Sequence, residues 1–318
     1  MKNIVVLDGY TLNPGDLDWS GLQALGNVTF YDRTPEHEVA VRSKDAHIIL
    51  TNKAIVSGET IRQLQQLEYI GVTATGFNIV DILEARKKNI PVTNVPAYST
   101  TSVAQLTFAL ILELCHHTGL HAESVRAGEW SSSIDFSYWK TPLTELAGST
   151  LGIVGLGQIG QAVARIALAF GMKVIANHKH PERDAMSGVD FVDLATCFRE
   201  ADIVSLHCPL NPANKEFVNA GLLGTMKKNA FLINTSRGLL IREADLAHAL
   251  EKGIIAGAAL DVLSAEPPPA GNPLINAPST IITPHIAWAT QAARKRLMHT
   301  SVENVKAFLE GNPKNIIN

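Results

Sequence analysis

The stretch TLGIVGLGQIGQAVARIALAFGMKVIAN, Thr150 to Asn177, decides how the rest of the chain is read. It opens on a short β-branched run and turns through Gly155-Leu156-Gly157-Gln158-Ile159-Gly160. A helical segment, QAVARIALAF, and a second apolar run, MKVIAN, complete it. A glycine-rich turn alone is a weak signal, because glycines gather in ordinary turns. Set between a strand and a helix inside a βαβ unit, it reads as a phosphate cradle. Gly155 allows the tight turn, Gly157 lets main chain approach a pyrophosphate, and Gly160 lets helix and strand pack closely. The helix start at Gln158 and Ile159 adds free N–H groups and the positive end of a dipole.

The same alternation of β-branched runs and amphipathic segments extends in both directions, the pattern of parallel sheets with crossover helices. Before the cradle the strand candidates are IVVLD from Ile4, VTFYD from Val28, HIILT from His47, YIGVTAT from Tyr69 and PVTNV from Pro91. SGETIRQLQQL, between the third and fourth, is helical with Ser57 as its cap. One long helix is expected from about Thr101 to Ala127, stopped by Gly128, followed by a Ser- and aromatic-rich loop from Trp130 to Pro142. After the cradle come DIVSLHC, AFLINTS, IAGAALDV and TIITP, and a closing helix from about Thr290 to Leu309. At 318 residues the chain is too long for one typical core. The expectation is an α/β protein of two doubly wound parallel-sheet domains with a cleft between them. Residues 1–99 and 288–318 form a discontinuous substrate domain, and 100–287 the dinucleotide-binding domain.

Composition narrows the function classes. Hydrophobic residues make up 46% and charged residues 18%, with a formal charge of -3 and no basic stripe, so neither nucleic acid nor a membrane surface is expected as partner. MKNIVVLDGY is interrupted by Asp8 and lacks the form of a signal peptide. The apolar run Val103 to Cys115 contains Gln105 and Glu113 and is too short to span a bilayer. Cys115, Cys197 and Cys208 are too few and scattered for a disulfide framework, which suits a reducing, cytoplasmic setting. His117 and His121 stand four apart on the expected helix with His116 beside them, but no acidic or cysteine ligand accompanies them, and no metal is expected.

An acid for the adenosine ribose is expected at the end of MKVIAN, yet the sequence there reads Asn177-His178-Lys179-His180. With no carboxylate at the strand end, and with Lys179 and Arg183 near, a 2′-phosphate is tolerated, so the cofactor is NAD or NADP. Ligands of doubly wound sheets bind beyond the carboxyl ends of the strands. AFLINTS is followed there by Arg237-Gly238, IAGAALDV carries Asp261 near its end with Glu266 shortly after, and TIITP is followed by His285. Reduction of a 2-keto acid needs these residue types. A guanidinium fork grips a carboxylate, an imidazole protonates the forming alkoxide, and a carboxylate on the other ring nitrogen favours the protonated imidazole.

At these residues the chain resembles the D-isomer-specific 2-hydroxyacid dehydrogenase family. The matching stretches are ATGFNIVD from Ala74, NVPAYSTTSVAQ from Asn94, GIVGLGQIG, SLHCPL from Ser205, MKKNAFLINTSRG from Met226, GAALDVLSAEPP from Gly257 and TPHIAW from Thr283, in the family's order. The resemblance implies a Rossmann-type cofactor domain and a flavodoxin-like substrate domain. It implies that Arg237 binds substrate, Glu266 pairs with His285, and His285 is the acid/base. Asp261 would meet the nicotinamide side, and main chain around Thr75 and Gly76 would hold the substrate carboxylate. Further cofactor contacts are implied for Cys208, Pro209, Asn214, Thr235 and Ser236, as is a homodimer through the helix following Thr101. LDGYTLNPGDL from Leu7 and HIAWAT from His285 are most similar to the glycerate dehydrogenase (hydroxypyruvate reductase) subgroup. The expected reaction is hydroxypyruvate/D-glycerate interconversion, or glyoxylate/glycolate. A D-lactate-type or broad 2-keto acid reductase and a nucleotide-sensing, corepressor-like binding protein stay open as alternatives. Asn177-His178 in place of an acid and Gln105 in place of the common Glu are departures from the family pattern.

Overall fold

A computed structural model describes residues 1–318, and the chain divides into two units. The first comprises Met1–Ser99 with Ala289–Asn318, and the second Thr100–Trp288. The chain thus re-enters the first unit at Ala289, one residue beyond the expected 288.

The first unit is built on five parallel strands: β1 (Asn3–Val6), β2 (Asn27–Phe30), β3 (Ile48–Thr51), β4 (Tyr69–Val72) and β5 (Val92–Thr93), in the order β2-β1-β3-β4-β5. β3 and β4 are buried along their whole length, as inner strands covered on both faces must be, whereas β2 at the edge has no buried residue. β4 is shorter than YIGVTAT suggests. Beyond Val72 the Thr73 amide still reaches the Thr51 carbonyl, but Ala74 and Thr75 belong to the following loop. The helix Gly58–Gln63 begins where Ser57 Oγ accepts from the Thr60 amide. The helix Gln291–Leu309 is capped by Thr290 and stacks Phe308 on Tyr69 with ring centroids 4.7 Å apart. Ile316 then bridges to Thr93 antiparallel, an addition to the sheet edge that no sequence pattern announced.

The second unit carries seven parallel strands, where six were expected: β6 (Thr150–Val154), β7 (Lys173–Asn177), β8 (Val189–Phe191), β9 (Ile203–Leu206), β10 (Phe231–Asn234), β11 (Gly257–Leu260) and β12 (Thr280–Ile282). Their order, β12-β11-β10-β9-β6-β7-β8, is that of a Rossmann fold with one strand added beside β11. The additional β8 is three residues long with exposed Asp190 at its centre, so it gave no apolar run to read. Alternate residues feed two cores. Leu151, Ile153, Ile203, Ile233 and Ala259 face the helices Thr100–His116 and Gln158–Ala169, while Val204, Leu206, Leu232 and Leu260 meet Phe198, Leu240 and Leu246 on the other face.

The single helix expected from Thr101 to Ala127 is two helices, Thr100–His116 and Thr118–Arg126, broken at His117, whose φ is 46°. The Glu113 carboxylate accepts from Thr118 Oγ1 at 2.6 Å and from the Gly119 amide at 3.2 Å, drawing the chain out of the first helix. The histidines therefore do not share one uninterrupted face. His121 spends both ring nitrogens within the chain, on the His117 carbonyl and the Lys140 amide.

Candidate active site and nucleotide turn

The order of the second sheet reverses between β6 and β9, and the glycine turn follows β6 at that point. Gly155 has φ 98°, and a Cβ there would lie 2.6 Å from the Cys208 amide nitrogen, so no other residue fits between β6 and the end of β9. A Cβ on Gly160 would lie 2.2 Å from the Gly155 carbonyl oxygen. At Gly157, by contrast, a Cβ would meet nothing within 4 Å. The helix Gln158–Ala169 opens there without a side-chain cap. Two crowded glycines thus shape the turn, and the third leaves open space before free helical N–H groups, the cradle a pyrophosphate fits.

The end of β7 closes the turn. Gly155 N donates to the Asn177 carbonyl at 2.8 Å, and Leu156 N to His178 Nδ1 at 3.0 Å. The expectation of a strand end without an acid needs correction. A turn in which the Asp184 amide reaches the His180 carbonyl returns Asp184 to His178, Nε2 to Oδ2 2.6 Å. Spacing along the chain hid this carboxylate six residues past the imidazole. On the neighbouring strand ends, Ser236 Oγ donates to the Cys208 carbonyl, Thr235 Oγ1 lies 3.1 Å from Thr107 Oγ1, and Asn214 donates to the Pro209 carbonyl within its own turn.

Beyond β10, β11 and β12 the second cluster assembles. Asn234, fully buried at the end of β10, donates through Nδ2 to the Arg237 carbonyl and accepts from the Ser236 amide, which fixes the turn that presents Arg237. Next to it, a Cβ on Gly238 would fall 1.9 Å from the Leu263 carbonyl carbon, so the turn after Arg237 packs directly against the segment leading to Glu266. Glu266 Oε1 accepts from the Leu263 amide, and Oε2 lies 2.6 Å from His285 Nδ1. His285 Nε2 makes no hydrogen bond within the chain. The Arg237 side chain is exposed and donates only to its neighbour's carbonyl at Ser236.

Asp261, expected on the nicotinamide side, is 1% exposed and directs its carboxylate into the loop that carries His285. Oδ1 accepts from Thr283 Oγ1 and the Ile286 amide, and Oδ2 from the Ala287 amide. Burial pushes its carboxyl up, against the pull of these bonds. The Asp261 carbonyl also receives the His285 amide, and His285 sits at φ 53°, a left-handed conformation that L side chains rarely adopt. Thr75 and Gly76 lie in the first unit after β4, where Thr75 Oγ1 donates to the Val95 carbonyl and its own carbonyl accepts from Asn94 Nδ2.

Known proteins decide the family. Residues 108–287 match the model of the D-isomer specific 2-hydroxyacid dehydrogenase NAD binding domain. A hydroxypyruvate reductase of Blautia hydrogenotrophica is 47% identical over 99% of both chains. The chain belongs to the D-isomer-specific 2-hydroxyacid dehydrogenases. A glycerate dehydrogenase of Methylorubrum extorquens is 41% identical over 89% of each chain. A solved acyclic imino acid reductase, in complex with NADPH and D-Arg, superposes with a TM-score of 0.87 at 31% identity over 99% of this dehydrogenase and 100% of its own chain. Asn234, Gly238 and Thr283 carry no role in the sequence reading, although each stands within four residues of one that does. Their signal, an Asn, a Gly and a Thr at strand ends, has meaning only once the strands are paired. No helix of the dehydrogenase is long and apolar enough to cross a membrane.

Proposed function

We propose that this dehydrogenase interconverts hydroxypyruvate and D-glycerate, reducing the keto acid with NADH or NADPH. The observation that carries the reading is the His285–Glu266 pair: a carboxylate 2.6 Å from Nδ1, with Nε2 left free at the end of β12. A bound nicotinamide supplies the hydride to the carbonyl carbon. As charge gathers on the carbonyl oxygen, His285 Nε2 delivers a proton to it, and the Glu266 carboxylate stabilises the imidazolium before transfer and orients the ring throughout. Arg237 grips the substrate carboxylate as a planar fork. Gly157 and the uncapped helix behind it hold the pyrophosphate. In oxidation of the hydroxy acid each transfer runs backwards, and neutral His285 accepts the proton.

Hydroxypyruvate is favoured over other keto acids by the 47% identical relative that bears this name. Acceptance of NADPH is favoured by Lys179 just past β7 and by the NADPH held in the structural relative. We assign the chain to the cytoplasm, which suits its three unpaired cysteines. A homodimer is favoured by the apolar side chains open to solvent from Leu120 to Leu143, among them Trp130, Ile134, Phe136 and Trp139. The helix Thr100–His116 itself is largely buried within its unit, which shifts the proposed interface to the shorter helix and loop after it.

Oxidation of NADH and of NADPH, followed at 340 nm with hydroxypyruvate, glyoxylate and pyruvate, tests the reading. Hydroxypyruvate should give the highest kcat/KM with either cofactor. Absence of turnover with all three, despite nucleotide binding, would favour a nucleotide-sensing protein instead.

A further inference from the structure

The end of β7 grips two consecutive amides of the glycine turn, one through the Asn177 carbonyl and one through the His178 ring. Because His178 Nδ1 accepts from Leu156, its proton sits on Nε2, and Nε2 donates to Asp184 Oδ2. The same oxygen accepts from Arg183 Nε at 3.1 Å and Nη2 at 2.6 Å. Asp184 Oδ1 makes no hydrogen bond within the chain. The Arg183 guanidinium, and next to it His178, hold the Asp184 carboxyl down at about 2, so it is ionised at neutral pH.

A dinucleotide seated on this turn brings its adenosine ribose to the end of β7. A ribose 2′-hydroxyl donates to a carboxylate. A 2′-phosphate, with a charge of about -1.5 to -2, is repelled by one and drawn to cations. The cations here are Lys179 and Arg183, and Arg183 lies 68% exposed but tied to Asp184. His178, with Nδ1 occupied, offers no positive charge unless it releases the turn.

We propose that Asp184 is a specificity-determining residue for the cofactor: it offers a 2′-hydroxyl an acceptor and keeps Arg183 from a 2′-phosphate. The proposal rests on the glycine turn being the dinucleotide site, and deepens that reading by naming what selects at its adenosine end. The carboxylate comes from the segment after β7, not from the strand end, and acts beside an imidazole already committed to the turn.

Calorimetric titration with 5′-AMP and with 2′,5′-ADP tests this without turnover. Asp184→Asn should raise affinity for 2′,5′-ADP relative to 5′-AMP by about tenfold, the effect of removing one nearby unit charge. The NADPH-to-NADH ratio of kcat/KM should move by a similar factor. Arg183→Ala should move both ratios the opposite way, and Asp184→Glu should leave them near those of the unsubstituted protein. An unchanged ratio in Asp184→Asn overturns the proposal. So does equal weakening of both nucleotides, which would make Asp184 a prop for His178 alone. If Asp184→Asn does not fold, the exposed Arg183→Ala carries the test, and a ratio that stays put is decisive against it. Failure of the unsubstituted protein to bind either nucleotide overturns the dinucleotide reading together with the proposal.

Discussion

His285 combines the proposed acid/base ring with a strained backbone. Its φ of 53° is a conformation that costs a non-glycine residue about 1–2 kcal/mol, and the surroundings hold it there through its amide on the Asp261 and Thr283 carbonyls. Asparagine tolerates this conformation better than most residues. His285→Asn should therefore keep the fold, shown by an unchanged circular dichroism spectrum and urea midpoint. It should lower kcat by about a hundred- to ten-thousandfold, the usual loss when a general acid is removed. Glu266→Gln keeps the hydrogen-bonding reach and removes the charge that favours imidazolium. The kcat for keto acid reduction should fall while KM for the keto acid stays near that of the unsubstituted protein, and an unchanged kcat would leave Glu266 with an orienting role only.

At the scale of elements, chemistry collects where parallel strands end. Arg237, Asp261, Glu266 and His285 follow β10, β11 and β12, three neighbours in one sheet, so a reading of strand ends picks out these candidates together without coordinates. The contacts that support them were not legible, because they form only once the strands are paired and the loops beyond them have folded back. Gly238 is the sharpest case, with Leu263 filling the place of its missing side chain. Gly238→Ala should cost about 1–3 kcal/mol or more, read as a lower urea midpoint, since backbone must shift to admit the methyl group. The break at His117 and the return of Asp184 were hidden for a different reason, each depending on a side chain reaching across a short turn. β9 contributes a pH dependence of its own. His207 follows it, hydrogen-bonded with Ser205 Oγ, and burial pushes its imidazole down to about 4. An unfolded histidine titrates near 6.5. The folded state thus keeps its full stability above about pH 6.5 and loses it as pH falls towards 4, by up to about 3 kcal/mol for this group. His207→Gln should show a smaller drop in urea midpoint between pH 7.5 and 4.5 than the unsubstituted protein.

On the scale of the whole molecule, the loop after the helix Thr118–Arg126 is conspicuous for what it leaves uncovered. Phe136 is 91% exposed and Ile134 fully so, with Trp139 close in sequence, more apolar surface than single scattered side chains account for. Phe136→Glu should convert a dimer to a monomer by sedimentation or light scattering, and a wild-type protein already monomeric would remove the proposed interface. The first unit raises a separate matter. Its sheet is made from residues near one end of the chain, yet Arg294 binds Asp16 through both guanidinium nitrogens, Phe308 stacks on Tyr69, and Asn318 Oδ1 receives the Val92 amide. On a ribosome the first ninety-nine residues emerge early, but one face of their sheet waits for the helix Gln291–Leu309 before it is covered, while residues 100–288 already hold everything their own core requires. The part of the polypeptide made first is thus the part finished last. Until then one apolar face of its strands lies open to whatever else is within reach.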